Sequence, residues 1–311
     1  MNKIYIYPGE DEVFQFLFED CERSANALLY NNILVNTFVS GVWRFLYKHP
    51  TIQFYSYPIL SYLTAPFIRL HTGGNGYLFT NISIRYFSLH KLIELKQSGA
   101  KLFLFFLDSS SAVNSKIAMY IIQKVEFDRI YTFDKSDATE FGFIHRDTFY
   151  SEIKLPSSII SYDGIYVGSD KGRYDRLKRI YEKLNNCNLF FLINGVSNLQ
   201  NRIDGIIYDH FISYKDYLSI VNDSNCIIDV VTDYQNGLSL RCYEAVVLNK
   251  KLITTNASIL NFKYYNPNYI KYIKDPEDID EGFIKERIKV DYKYENDFSP
   301  IHLIDELLSY C

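Results

Sequence analysis

Arg241 and Glu244 stand three residues apart behind a turn that holds Gln235, Gly237, Leu238 and Ser239. That spacing places a guanidinium and a carboxylate on one face of a helix opened by Ser239. A guanidinium pairs bidentately with a phosphate, and an ionised carboxylate can accept both hydroxyls of a ribose diol. The pair therefore suits a ligand that carries both groups, although an ordinary surface i,i+3 ion pair accounts for the same spacing. A second turn, residues 168–173, sets Gly168, Ser169, Lys171 and Arg173 between an apolar strand and a helix start. Unpaired amides and the helix dipole attract an anion there, and Lys171 and Arg173 add full charges. It is neither a Walker A loop nor a dinucleotide GxGxxG. Arg176, Lys178 and Arg179 extend the positive run, so a solvated basic helix start is the plainer alternative. Two anion-compatible turns in one sheet favour a nucleotide diphosphate as ligand.

Two residues could serve as a general base. Asp108 ends an apolar strand read over residues 101–107, at the sheet edge where α/β proteins collect ligands; an N-cap before Ser109 explains it equally well. His71 adjoins the glycine-rich loop 71–76, where a structural or exposed histidine is the plainer reading. Asp278 and Asp280 have the bare spacing of a paired-carboxylate cation site, but they lie in an acidic stretch read as a solvated loop. No metal site is expected.

The elements that must position these residues alternate between strand and helix. Strands are read at residues 3–7, 77–81, 101–107, 129–133, 164–167, 189–193, 226–231 and 251–255, and helices at 13–29, 33–48, 84–97, 113–124, 138–141, 174–185, 214–222 and near the C-terminus. Residues 206–209 read as a turn. The alternation implies right-handed crossovers and parallel sheets. With 311 residues and 48% hydrophobic content, the chain is expected to be α/β, with two Rossmann-like doubly wound domains and an interdomain cleft. The expected boundaries are 1–155 and 156–290, with a C-terminal helix in 291–311 packing back on the first domain.

A balance of 33 basic against 37 acidic residues argues against a nucleic-acid binder that works through bulk charge. Five scattered cysteines show no paired metal spacing, which points to reduced thiols. The first residues lack the layout of a signal peptide, so a cytoplasmic location is expected, with peripheral contact at the inner face of the membrane kept open. The most apolar long stretch, residues 52–70, is broken by Pro58 and Pro66 and is read as buried helix and strand in preference to a membrane-touching surface.

The second half resembles the carboxyl-terminal domain of bacterial GT-B glycosyltransferases of surface-glycan pathways (capsule, lipopolysaccharide, exopolysaccharide). The residues that carry the resemblance are 166–173 (Tyr-Val-Gly-Ser-Asp-Lys-Gly-Arg), 235–245, 250–256 and 264–267 (Tyr-Tyr-Asn-Pro), with 127–138 resembling the last strand and turn of that fold's first domain. The resemblance implies a nucleotide-sugar donor and a glycan or lipid-linked acceptor. It implies that Glu244 holds the donor ribose, that Arg241, Lys171 and Arg173 neutralise the phosphates without a metal, and that the segment 211–217, which contains Tyr214, flanks the base. A non-catalytic nucleotide-sugar-binding component of a glycan-assembly complex shares the same motifs, whereas an epimerase on the same fold would need a catalytic acid/base set in the cleft that the sequence does not identify.

Overall fold

In the computed structural model, which describes residues 2–31, 33–34, 37–71, 73–196, 198, 202–232 and 236–311, the chain divides into two compact units. One comprises Met1–Ser151 with Phe298–Cys311, the other Glu152–Asp297.

The first unit runs β1 (Ile4–Tyr7), α1 (Glu12–Leu17), β2 (Ala27–Leu29), α2 (Thr37–Tyr47), α3 (Pro50–Thr64), β3 (Gly76–Thr80), α4 (Leu89–Gln97), β4 (Lys101–Phe106), α5 (Lys116–Ile122), β5 (Arg129–Thr132), α6 (Lys135–Phe141) and β6 (Ile144–His145). Its six strands are all parallel, in the order β2-β1-β3-β4-β5-β6. β4 is buried at every position after Lys101, as a strand covered on both faces must be. Across β1 and β3 the register sets Tyr5 opposite Tyr77 and Tyr7 opposite Phe79, and each pair of rings stacks at 5.3 Å between centroids. Such pairs contribute about 0.5–1.5 kcal/mol each beyond the area they bury. The glycine-rich loop is fitted to this ladder: a Cβ on Gly74 would lie 1.8 Å from the Tyr5 ring.

Several elements differ from the sequence reading. The helix expected over 13–29 ends at Leu17, and after a 3-10 turn the chain enters β2. Three residues carry no usable period, so pairing with β1 decides their conformation. The helix expected over 84–97 is broken, because the Ser88 hydroxyl caps a fresh start by accepting from the Lys91 amide at 3.3 Å. Residues 52–70 are not wholly buried helix and strand: most of them form α3, which buries Gln53, Tyr57, Ser61 and Thr64, packs Phe54 and Leu60 against the core and exposes Ile52, Tyr55, Ile59, Tyr62 and Leu63.

The second unit runs β7 (Tyr162–Ser169), α7 (Tyr174–Lys183), β8 (Leu189–Asn194), β9 (Ile207–Tyr208), α8 (Tyr214–Asn222), β10 (Ser224–Asp229), α9 (Leu240–Val247), β11 (Lys251–Thr254), β12 (Ile270–Tyr272) and α10 (Glu281–Lys285). The segment read as a turn at 206–209 thus contains an edge strand. All six strands are parallel, in the order β9-β8-β7-β10-β11-β12. The chain winds outward from β7 in one direction and from β10 in the other, which is the Rossmann order, with its switch point between β7 and β10. The acidic 275–281 stretch is a capping structure and not a loop of free carboxylates. Asp275 and Asp278 form a capping box, while Asp280 caps α10 and pairs with Lys271 at 2.8 Å.

The chain returns to the first unit as α11 (Ile301–Leu308), which buries Leu303, Ile304 and Leu307. Tyr131 donates to Glu306 on this helix at 2.7 Å, and Arg146 pairs with the same carboxylate. Before the helix, the Ser299 hydroxyl donates to the buried Asp20 carboxylate at 2.6 Å, and the Asp20 amide donates to Ser151 Oγ at 2.9 Å. Asp20 thus joins three distant pieces of chain. Asp20→Ala is expected to lower the stability of the first unit by about 1–3 kcal/mol, the cost of leaving buried donors unpaired. A urea midpoint equal to wild type would refute that role.

Candidate functional site at the strand switch of the second unit

Two arginines cross the switch point in opposite directions. Arg173, at the start of α7 on the β7 side, donates through Nη1 to the carbonyl of Val230 beyond β10 at 2.6 Å. Its Nε donates to Asp170 O at 3.1 Å and its Nη2 to Ser169 O. Arg241, on α9 after β10, donates through Nη2 back to Val167 O on β7. Its Nη1 faces Asp229 Oδ1 at 3.4 Å, and its guanidinium lies over the Tyr166 ring at 5.1 Å. Gly168 makes the crossing possible, because a Cβ there would lie 2.7 Å from Arg241 Nη2 and 3.0 Å from Tyr166 Oη. Burial opposes the charge on Arg241, but Tyr166 and Asp229 outweigh it, and the group is held above its ordinary range.

Beneath Arg241 lies a buried polar cluster. Glu244 is 2% exposed. Tyr214 Oη donates to Glu244 Oε1 at 2.8 Å, and Tyr217 Oη donates to Oε2 at 2.5 Å. The tyrosines sit one turn apart at the start of α8 with their rings stacked. Burial raises the Glu244 carboxyl above the usual carboxylate range, against the pull of Tyr217, Arg241 and Tyr214. Asp229, the last residue of β10, is fully buried and accepts from Thr254 Oγ1, its partner across β11, at 2.8 Å.

The donor residues read from sequence divide between two roles. Gly168, Arg173, Tyr214, Arg241 and Glu244 converge on the switch point. Ser169 and Lys171 are exposed on the turn, and Lys171 has a left-handed backbone. Gly237 is buried, with its carbonyl accepting from Asn256 Nδ2 at 2.9 Å, and Leu238 follows it half-buried. Ser239 occupies the N-cap position of α9 without a side-chain cap bond; its hydroxyl faces Cys242 Sγ at 3.9 Å. Gln235 lies outside the described residues.

Three of the expected ligand features already have partners within the chain. Glu244 is buried, and two phenols hold its two oxygens. Arg173 is not an outward phosphate ligand, since its guanidinium is tied to carbonyls of Ser169, Asp170 and Val230. The first turn of α7 is not an open anion site either, because Asp170 Oδ1 already accepts from the Tyr174 amide at 2.8 Å, so the helix carries its own carboxylate. The sequence reading held Tyr166 and Thr254 only as members of motif stretches and Tyr217 only as the end of the base-flanking segment, and it did not single out Asp229. Asp229 was detectable as a carboxylate closing an otherwise apolar strand, and Tyr217 as the i+3 neighbour of Tyr214.

The two base candidates belong to the first unit and sit at different levels of its sheet. Asp108 follows the carboxyl end of β4, half-buried. The neighbouring loop is fixed by Asp137, which accepts from the Ser110 amide and hydroxyl, both at 2.7 Å. The His71 ring is exposed and stacks on Tyr5, two residues before the end of β1, at 4.8 Å.

No family model and no curated protein match the sequence. Among solved structures, a Listeria monocytogenes protein assigned as a UDP-N-acetylglucosamine 2-epimerase matches at TM-score 0.50 and 8% identity, over 100% of this chain and 97% of that one. Spinosyn forosaminyltransferase SpnP matches at TM-score 0.41 and 8% identity, over 99% and 95%. The GtfA/B complex bound to UDP and GlcNAc matches at TM-score 0.27 and 15% identity, over 64% and 46%. The first match shows the fold, GT-B-like with two Rossmann-like domains; at their scores the other two add no argument.

Two outcomes test this geometry. Gly168→Ala is expected to push Arg241 off the Val167 carbonyl and to cost about 1–3 kcal/mol by overpacking, seen as a lower denaturation midpoint. The raised Glu244 carboxyl means that the folded state holds a proton the unfolded chain has released. Its contribution is complete below the ordinary carboxylate value and fades as pH rises through the folded one. Glu244→Gln should therefore gain stability relative to wild type as pH increases across that window, and a pH-independent difference would overturn the assignment.

Proposed function

We propose that this chain is a glycosyltransferase that moves a sugar from a nucleotide-sugar donor to a glycan or lipid-linked acceptor in the building of bacterial surface polysaccharide. The observation that carries the reading is the conjunction, at a Rossmann switch point, of Arg241, Glu244 and the uncapped start of α9. In glycosyl transfer the bond between the anomeric carbon and the donor phosphate oxygen breaks, and negative charge grows on the departing nucleoside diphosphate. Arg241, with its charge secured by Asp229 and Tyr166, the α9 amides and the exposed Lys171 stabilise that charge electrostatically, so the reaction proceeds without a divalent metal. Two phenol hydroxyls on one carboxylate are chemically close to a vicinal diol on the same group. In this reading the donor ribose exchanges with Tyr214 and Tyr217 at Glu244, and the base lies near Phe211, whose ring is 85% exposed. Asp108, at a strand's carboxyl end, is the better-placed base for an inverting reaction.

A second reading, epimerisation of a nucleotide sugar, is favoured by the end-to-end likeness to the Listeria protein; fold alone does not choose between the two chemistries. Incubation with a panel of nucleotide sugars and bacterial glycan acceptors, with and without chelator, followed by mass spectrometry and by proton NMR of the recovered donor, separates them. Transfer releases nucleoside diphosphate and lengthens the acceptor. Epimerisation isomerises the donor at constant mass, and a non-catalytic binder does neither. Under the transferase reading, Glu244→Ala weakens donor binding by about tenfold or more, roughly 1.4 kcal/mol, and wild-type binding by that variant would remove Glu244 from the site.

A further inference from the structure

We propose that the outer faces of α2 and α3 form a docking surface for an anionic lipid bilayer. The helices are neighbours, and α3 is inverted relative to a helix that meets water: Gln53, Ser61 and Thr64 point inward with Tyr57, while Tyr55, Ile59, Tyr62 and Leu63 point outward. Tyr55 is 77% exposed and Tyr62 65%. On α2 the buried side is Val39, Trp43 and Leu46, and the outer side carries Phe38, 78% exposed, and Phe45, two turns on. Exposed apolar and aromatic side chains gathered on two neighbouring helices mark an interaction site.

Charge identifies the occupant. Residues 24–93 contain no aspartate or glutamate, whereas 37 acidic residues in 311 would place about eight in a stretch of that length. The same stretch presents exposed Arg44, Lys48 and Arg69. Glu10, the carboxylate that faces Arg44 from outside the stretch, is turned onto the amides of Ile33 and Leu34 at 2.7 and 3.2 Å. Aromatic rings with a basic, acid-free border match the interface of a membrane with anionic headgroups. Among the described residues no helix is long and apolar enough to cross a membrane, so α2 and α3 would lie in the interface plane. This surface is independent of the donor-site reading.

Co-sedimentation of the full chain with phosphatidylglycerol/phosphatidylcholine vesicles, against pure phosphatidylcholine, tests it. Binding to the anionic vesicles is expected, weakened by about tenfold on neutral vesicles or in high salt. Tyr55→Ser/Ile59→Ser/Tyr62→Ser should lower binding by about tenfold or more, with Trp43 emission unchanged as a report of folding, since that ring is buried edge-on against Tyr86 at 5.1 Å. Arg44→Glu/Lys48→Glu should remove the anionic preference. Absence of binding to anionic vesicles, or binding that survives both variants, overturns the proposal. A dimer that the triple variant converts to monomer, without lipid binding, overturns it in favour of a second copy of the chain.

Discussion

At a switch point in a parallel sheet the connections from two adjacent strands lead away in opposite directions, which leaves a crevice at their carboxyl ends. In the second unit this gap lies between β7 and β10, and two guanidinium groups bridge it. Arg173 starts on the β7 side and ends on Val230 O; Arg241 starts on the β10 side and ends on Val167 O. Each supplies donors to a carbonyl at or just beyond a strand end, and buried carbonyls left unpaired are costly. The geometry of the turn at Gly168, the absence of a side chain there and the face presented by α9 all follow from this crossing.

The crossing also governs what lies beneath it. Arg241 fixed from above by Val167 and alongside by Asp229 leaves Glu244, one turn along the same helix, facing α8. There it meets hydroxyls instead of cations, and two tyrosines satisfy it. Burial holds the Glu244 carboxyl above its usual range against the pull of the tyrosines and Arg241, whereas Arg241, beside a buried aspartate, is held firmly charged. The positive end of the site is therefore permanent and the negative end is adjustable.

Much of this frame is legible in the sequence. Apolar runs such as 101–107 and the turn chemistry after each one define alternating strands and helices, and α8 is read with the bounds it has. Short edge strands were not legible: β2 and β9 are three and two residues long, and pairing with an existing strand determines them. Side-chain destinations were not legible either. Lys250 and Lys251 belong to a stretch that carries the resemblance, yet Lys250 donates to Asn222 O and Lys251 to Glu286 O, both at 2.6 Å. Charge in a sequence shows where a cation is available, not whether backbone carbonyls have already taken it. The same holds for Arg173, whereas Gly168 next to a charged turn did mark a close approach, though to Arg241 and not to a phosphate.

The two sheets solve the same problem with different chemistry. In the first unit the switch point lies between β1 and β3, and small hydroxyls close it: Thr80 Oγ1 donates to Pro8 O at 2.8 Å, and Ser83 Oγ donates to Tyr7 O. Hydroxyl closure is neutral and compact, and leaves no net charge at the strand ends. Guanidinium closure in the second unit satisfies the same class of carbonyl but places two positive charges, only one of them paired with a buried aspartate, at the carboxyl edge. Charge of one sign concentrated in a crevice with low-dielectric walls raises the local concentration of counter-ions. The two switch points therefore differ in charge, and the difference originates in which side chains fill the gap between two strands.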